Sequence, residues 1–398
     1  MNFSEVVGQT AIKDQLSELI GLKKLPHALL LQSNEGRGGL PLALAIAKNL
    51  VCEKRNRSGE ADSGGMFGAM LPPPEPLTDA CGTCPACQKA EKLIHPDIHF
   101  TFPVYRRKSD SPALSYDFIQ EWRSAVTQNP YMNLIEWLQA TEAENKQGNI
   151  SVAECHEIIK RVNLKPYEAN SKVQIIWMAE QLRETGNTLL KVIEEPPADT
   201  IFIFVVEQIE LMLNTILSRT QIVKLPPISD EDMIEYLTKA LSMHPDQALR
   251  VARIAEGNLN SALALAHSDG NAYEQLLQKW LSTSIRLIGP HAAESSVQLQ
   301  ALTDEFAALG REHQKAFVKY ALWFLREIAL LNNGLTSEKL FGNELTFATR
   351  VAQALNVDKL LAIQKKLNDL HYHIERNANP KIAFYGISFE LYRIFTQK

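Results

Sequence analysis

Apolar residues fall along this chain in two rhythms. In residues 1–227 short, nearly continuous apolar runs recur: "HALLLQ" (27–32), "DIHFTFPV" (97–104), "VQIIWMA" (173–179), "TIFIFVVE" (200–207) and "TQIVKL" (220–225). Runs of this kind predict strands buried on both faces, and the helical spacing between them predicts a parallel sheet covered by helices. One such helix is expected over 151–162, where Val152, Cys155, Ile158, Ile159 and Val162 share a stripe. Pro226 and Pro227 stop the last strand, and Ser229 with Asp232 could open a helix as a capping box.

Beyond that break no strand pattern is convincing. Residues 229–267 predict a compact helical unit with Gly257 as a turn, and 271–396 predict five or six longer amphipathic helices. The expected architecture is an α/β domain over 1–227, a small α-helical lid over 228–270 and an α-helical C-terminal domain over 271–398. Two insertions interrupt the first domain. Residues 53–80, rich in Gly, Pro and charge, predict a flexible surface excursion. Residues 105–149 carry "DFIQEWRSAV" and "NLIEWLQATEAE" and predict a small helical annex.

Composition adds exclusions. The 398 residues are 45% hydrophobic, enough for two or three ordinary cores. Forty-one Lys and Arg against 46 Asp and Glu give a net charge of −5, with no global pull toward nucleic acid or membrane. No apolar run reaches the ~20 residues that span a bilayer. The N-terminus "MNFSEVVGQTAIKDQL" lacks the basic and apolar regions of a secretory signal, so a cytoplasmic location is expected.

Four of the five cysteines form a ligand-like set. Cys81, Cys84 and Cys87 make a C-x2-C-x2-C run, and Cys52 ends the "LALAIAKNLVC" helix upstream. Four thiolates close a tetrahedral zinc site with no open position, so zinc would be structural, in a module spanning 52–95. A redox pair fits a run of three thiols less well. An iron–sulfur cluster, or His95 in place of one cysteine, remains open on spacing alone. Cys155 lies on its helix's apolar stripe and reads as a core thiol.

The stretch "LQSNEGRGGLPLA" (31–43) has the order strand, glycine-rich turn, helix, which builds a phosphate-binding loop. Such a loop ends in Lys, which reaches the phosphates, and Ser or Thr, which holds Mg²⁺. After Gly36 and Gly38, those places hold Gly39 and Leu40. Pro41 also removes a backbone N–H from the helix start.

These features occur in order with "FSEVVGQTAIKDQL", "HPD" (95–97), "GNTLLKVIEEPPADTIFIFV" (186–205) and "ILSRT" (216–220). Together they resemble the bacterial clamp-loader branch of the AAA+ proteins, most closely the delta-prime subunits of DNA polymerase III. The resemblance is specific over 1–230 outside the insertions and mainly architectural beyond. It implies an AAA+ P-loop domain, a lid and a C-terminal collar that assembles a five-membered ring.

The resemblance also identifies the remaining nucleotide-handling positions. Trp177 and Met178 stand where Walker B acids are expected, Val206 where a polar sensor is expected, and Asn260 of "GNLNSAL" where the lid Arg is expected. Without those charges no ATP binding or hydrolysis is expected, because electrostatic stabilisation is most of phosphoryl-transfer catalysis. Arg219 of "SRT" survives. The resemblance implies that it acts in trans, as an arginine finger on a neighbouring subunit's ATP; the bland alternative is a surface Arg capping a helix end. Implied partners are the gamma/tau ATPase subunits, the delta subunit, the sliding clamp and primer-template DNA, with no membrane. The rivals are an active gamma/tau-type ATPase, and a zinc-stabilised scaffold or DNA-binding module.

Overall fold

The strand rhythm of the first half builds one sheet, and the helical rhythm of the second builds a separate body. In this computed structural model the chain divides into two units, Met1–Asp232 and Met233–Lys398. Described are residues 1–57, 78–107, 112–143, 146, 148–267, 272–287, 292–335, 340, 342–376 and 378–396.

The first unit runs α1 (Thr10–Gly21), β1 (Ala28–Gln32), α2 (Gly39–Val51), α3 (Glu53–Arg57), α4 (Pro85–Glu91) and β2 (Ile98–Thr101). It continues through α5 (Ile119–Gln128), α6 (Leu134–Ala140), α7 (Val152–Asn163), β3 (Lys172–Trp177) and a 3-10 segment, Ala179–Leu189. It ends with α8 (Leu190–Glu194), β4 (Thr200–Val206), α9 (Asn214–Leu217) and β5 (Gln221–Lys224). All strand pairs are parallel, in the order β2-β3-β4-β1-β5. Register is set centrally, with Leu30 facing Phe204 on β4 and Ile222 on β5.

Successive strand side chains point to opposite faces, so one apolar run feeds two cores. Leu29, Leu31, Ile175, Trp177, Ile203 and Val205 join one core with α2 and the insertions. Leu30, Ile176, Phe202, Phe204 and Val206 join the other with α7 and the segment before α8. That double burial is why these strands read as continuous rather than alternating.

Three local expectations change. On α7, Cys155, Ile158 and Val162 are fully buried but Val152 is 45% exposed. At about 100° per residue Val152 lies roughly 80° round the helix from the stripe's centre. The 105–149 insertion is helical through α5 and α6, as expected, but it packs into the sheet, where its tryptophans complete the core. Trp122 stacks on Phe102 at 4.1 Å and lies 5.1 Å from Trp177, while Trp137 meets Phe102 edge-on at 5.0 Å. The 53–80 excursion opens with the helix α3, and Arg55 is tied to Ser17 and Asn49; residues 58–77 lie outside the described residues.

The second unit is helical among the described residues: α10 (Asp230–Leu241), whose first turn belongs to the first unit, α11 (Pro245–Ala255), α12 (Leu259–His267) and α13 (Ala272–Ile285). There follow α14 (Ala292–Ala308), α15 (Arg311–Asn332), α16 (Gly342–Ala354), α17 (Val357–Glu375) and α18 (Pro380–Thr396). Its core stacks Phe384 between Trp280 and Phe306, at 4.6 and 4.4 Å. At the start of α10, Ser229 Oγ accepts the Asp232 N–H at 3.1 Å and donates to its carboxylate at 2.8 Å. The cap is thus reciprocated by the side chain rather than by the backbone N–H of a capping box.

Candidate nucleotide pocket and metal centre

Strand β1 delivers the chain to a loop in which Gly36 (φ 71°) and Gly38 (φ 94°) adopt left-handed conformations open mainly to glycine. Gly39 then starts α2. A Cβ there would stand 2.6 Å from Ser33 Cβ and 2.9 Å from Val205 Cγ1, closer than side chains approach one another. A lysine at this position therefore requires β1 or β4 to give way. Leu40 is buried, as are Trp177, Met178 (φ 53°) and Val206 at the ends of β3 and β4.

The space before this loop is nearly filled. A cavity of about 20 Å³ remains, lined by Ser33, Gly38, Tyr131, Trp177, Val205 and Glu207 among others. The filling comes from residues 129–133, between α5 and α6. The Tyr131 ring comes within 3.3 Å of where a Gly38 Cβ would be, and its hydroxyl accepts the Val7 N–H at 2.9 Å. Asn133 caps α6 in a reciprocal box with Glu136, and its Nδ2 donates to Glu35 at 3.0 Å. Sequence reasoning did not single out Tyr131. The "NLIE" box beside it was a readable helix start, but not a reason to place it over a loop so distant in sequence.

The four cysteines converge. Cys52 follows α2, Cys84 caps α4, and all four sulfurs lie within 4.8 Å of one another. Cys81 Sγ and Cys87 Sγ stand 3.9 Å apart. A tetrahedral site with Zn–S bonds near 2.3 Å sets its sulfurs about 3.8 Å apart, so the set could hold such an ion. The Cys81 N–H points at Cys52 Sγ (3.3 Å), the Cys84 N–H at Cys81 Sγ (3.4 Å) and the Cys87 N–H at Cys84 Sγ (3.4 Å). The Cys87 thiol and the Cys81 N–H hold Cys52 down to about 4, while Cys87 as the donor is pushed up. Such N–H donors favour thiolate, the form that binds metal.

His95 stands apart from this cluster: Nδ1 accepts the Asp97 N–H at 3.1 Å, and Nε2 faces Glu168 at 3.3 Å. Cys155 is buried, its thiol pushed up to about 11 by burial, and it points at the Thr185 carbonyl. That environment suits an inert core thiol.

Arg219 lies between α9 and β5, with its side chain 33% exposed. Its Nε donates to Glu194 at 2.9 Å and an η nitrogen donates to the Thr215 carbonyl at 3.0 Å. It therefore joins α9 to the acidic "EEPP" turn. Asn260 is buried in the second unit. Glu180, missed in the sequence, is a buried carboxyl raised by desolvation that accepts the Glu207 and Gln208 N–H groups at 3.3 and 3.4 Å. No described helix is long and apolar enough to cross a membrane.

The Bacillus subtilis DNA polymerase III subunit delta' is 22% identical over 375 residues, covering 92% of each chain. The Escherichia coli subunit tau is 25% identical over 359 residues, and the E. coli subunit delta' 23% over 262. Those two alignments take in 86% and 65% of this chain but only 45% and 60% of the relatives. A family model described as "DNA polymerase III, delta subunit" matches residues 8–229, more than half of the 398. The chain belongs to the DNA polymerase III, delta subunit family.

Proposed function

We propose that this protein is a non-hydrolysing, delta-prime-like subunit of the bacterial clamp loader, an AAA+ assembly that loads the sliding clamp onto primed DNA in the cytoplasm. The observation that carries the reading is Gly39. A side chain there would strike Ser33 and Val205, so the Lys that phosphate binding needs has no room. Trp177 and Met178 add apolar side chains at the end of β3, where the carboxylates for Mg²⁺ would stand.

In this reading the protein contributes to its partners' chemistry. Arg219 offers a guanidinium at the surface of the first unit, to the ATP of a neighbouring gamma/tau-type subunit. The helices beyond 270 form the collar that joins those subunits and the delta subunit. Cys52, Cys81, Cys84 and Cys87 hold a structural zinc ion, which ties the end of α2 to α4 and offers no open coordination position.

A gamma/tau-type ATPase is the competing reading, because subunits of that name are among the relatives. The test separates the two. The purified chain with Mg-ATP should show no turnover, and mixed with gamma/tau and delta subunits it should co-elute as one larger species. Turnover lost on changing residues 36–40 would establish the ATPase instead. Elution as a monomer beside assembled partners would leave a scaffold or DNA-binding module.

A further inference from the structure

We propose that Tyr131 is a built-in occupant of the nucleotide pocket. Residues 129–133 of the insertion take the place a ligand would fill and hold the glycine loop in one state. The inference rests on the reading of Gly36–Leu40 as a former phosphate loop, and it assigns the insertion a role.

Three segments far apart in sequence meet at this ring. Its hydroxyl takes the Val7 N–H, and its edge lies against Gly38, where the absence of a Cβ leaves room. The N-terminal segment is fastened to the loop independently. Gln9 Nε2 donates to the Arg37 carbonyl at 3.2 Å and to that of Pro226 at 2.8 Å, and Lys13 Nζ donates to the Val6 carbonyl at 2.9 Å. On the far side, Asn133 fixes the start of α6 and bonds Glu35 of the loop. Tyr131 is thus held from both flanks, as a clamped ligand would be.

Neither volume nor charge beside this loop favours a nucleotide. Small-molecule sites measure roughly 300–1,000 Å³, and about 20 Å³ is left here. No Lys or Arg is among the residues that line this cavity, so no lining side chain supplies a phosphate's counter-charge. A ligand shifts a conformational equilibrium only by binding one state better than another. A pocket filled from within offers no such difference, so the loop keeps one arrangement whether or not ATP is present.

The test uses the full-length chain alone, so its outcome is independent of ring assembly and ATPase partners. In the unaltered protein, millimolar Mg-ADP should not raise the melting temperature, and fluorescent N-methylanthraniloyl-ADP should give no binding signal. Tyr131→Phe removes the hydroxyl and leaves Val7 N–H unpartnered, so that amide should exchange about tenfold faster while ADP stays excluded. Tyr131→Ala should lower the melting temperature on the order of 10 °C and speed exchange over residues 33–40. Millimolar phenol, the group that the substitution removes as a free molecule, should restore part of both losses. If Tyr131→Ala does not fold, Tyr131→Phe and Tyr131→Leu decide by the same exchange readout. ADP binding to the unaltered protein would overturn the proposal. Unchanged exchange at Val7 and over 33–40 in the variants would overturn it too.

Discussion

Gly39 shows what one residue contributes beyond its charge. In the proposed reading the sequence puts glycine where a phosphate loop would carry lysine, which is a loss of electrostatics. The structure adds a loss of space, because Ser33 and Val205 close on the position from β1 and β4. Gly39→Lys should therefore destabilise the protein by about 1–3 kcal/mol through overpacking, without conferring ATP binding. A urea midpoint that falls at unchanged slope, with no ATP signal, is the expected result. A stable variant that binds ATP would show that the strands yield easily. The missing lysine was legible because strand, glycines and helix are adjacent in sequence. The closure was not, because Val205 arrives from a strand far along the chain.

At the scale of elements, two short devices hold loops that neither strand nor helix would fix. Asp97, just before β2, accepts the N–H groups of Tyr167, Glu168 and Ala169 at 2.5, 2.8 and 2.8 Å. Burial raises its pKa, but those three donors outweigh it and hold the carboxyl below its ordinary 3.8. Its contribution is therefore complete above the unfolded value, near 4, and is lost as the pH falls through the lower folded value. Asp97→Asn should cost about 1.5–3 kcal/mol at pH 7, and the gap from the unaltered protein should narrow below pH 4. A difference that stays constant through acid would show that shape, not charge, matters there.

The second device is the cysteine knuckle. The unaltered chain should carry one equivalent of zinc. Cys84→Ser should lose most of it together with thermal stability, because metal affinity at such a site is folding free energy. Cys155→Ser should keep full zinc content. Iron on metal analysis, or full zinc in Cys52→Ser, would overturn the four-thiolate set. The strands, the helical stripes and the cysteine set were legible because each rests on local spacing. The role of "HPD" was not, because its carboxylate serves a loop some seventy residues on. The insertion's aromatics were legible as apolar but not as a wall of the sheet's core, since periodicity states that a face is buried and not against what.

At the scale of the whole molecule, Arg219 separates a participant from a scaffold. Its ties are to an exposed carboxylate, Glu194, and to the carbonyl of Thr215 in α9. Exposed pairs of this kind contribute about 0–1 kcal/mol. Arg219→Ala should accordingly leave melting, zinc content and ring assembly almost unchanged. If the guanidinium serves a neighbour's ATP, the same variant should lower the DNA- and clamp-stimulated ATPase of the assembled ring. Arginine fingers supply on the order of 10³–10⁵ in rate in GTPases. One silenced site among several competent ones would cut total ATPase only partly, while clamp loading, which needs the ring to act together, should suffer more. Arg219→Lys should rescue poorly, since an ammonium lacks the planar fork that spans two phosphate oxygens. Glu194→Gln supplies the internal control. It removes the intramolecular partner and keeps the guanidinium, so activity should persist if Arg219 acts outward and fall if the pair itself is what matters. Rings built with equal occupancy of each variant, assayed side by side, decide between them. Equal ATPase and loading in all four rings would leave Arg219 as a helix-end cap and the protein as a scaffold.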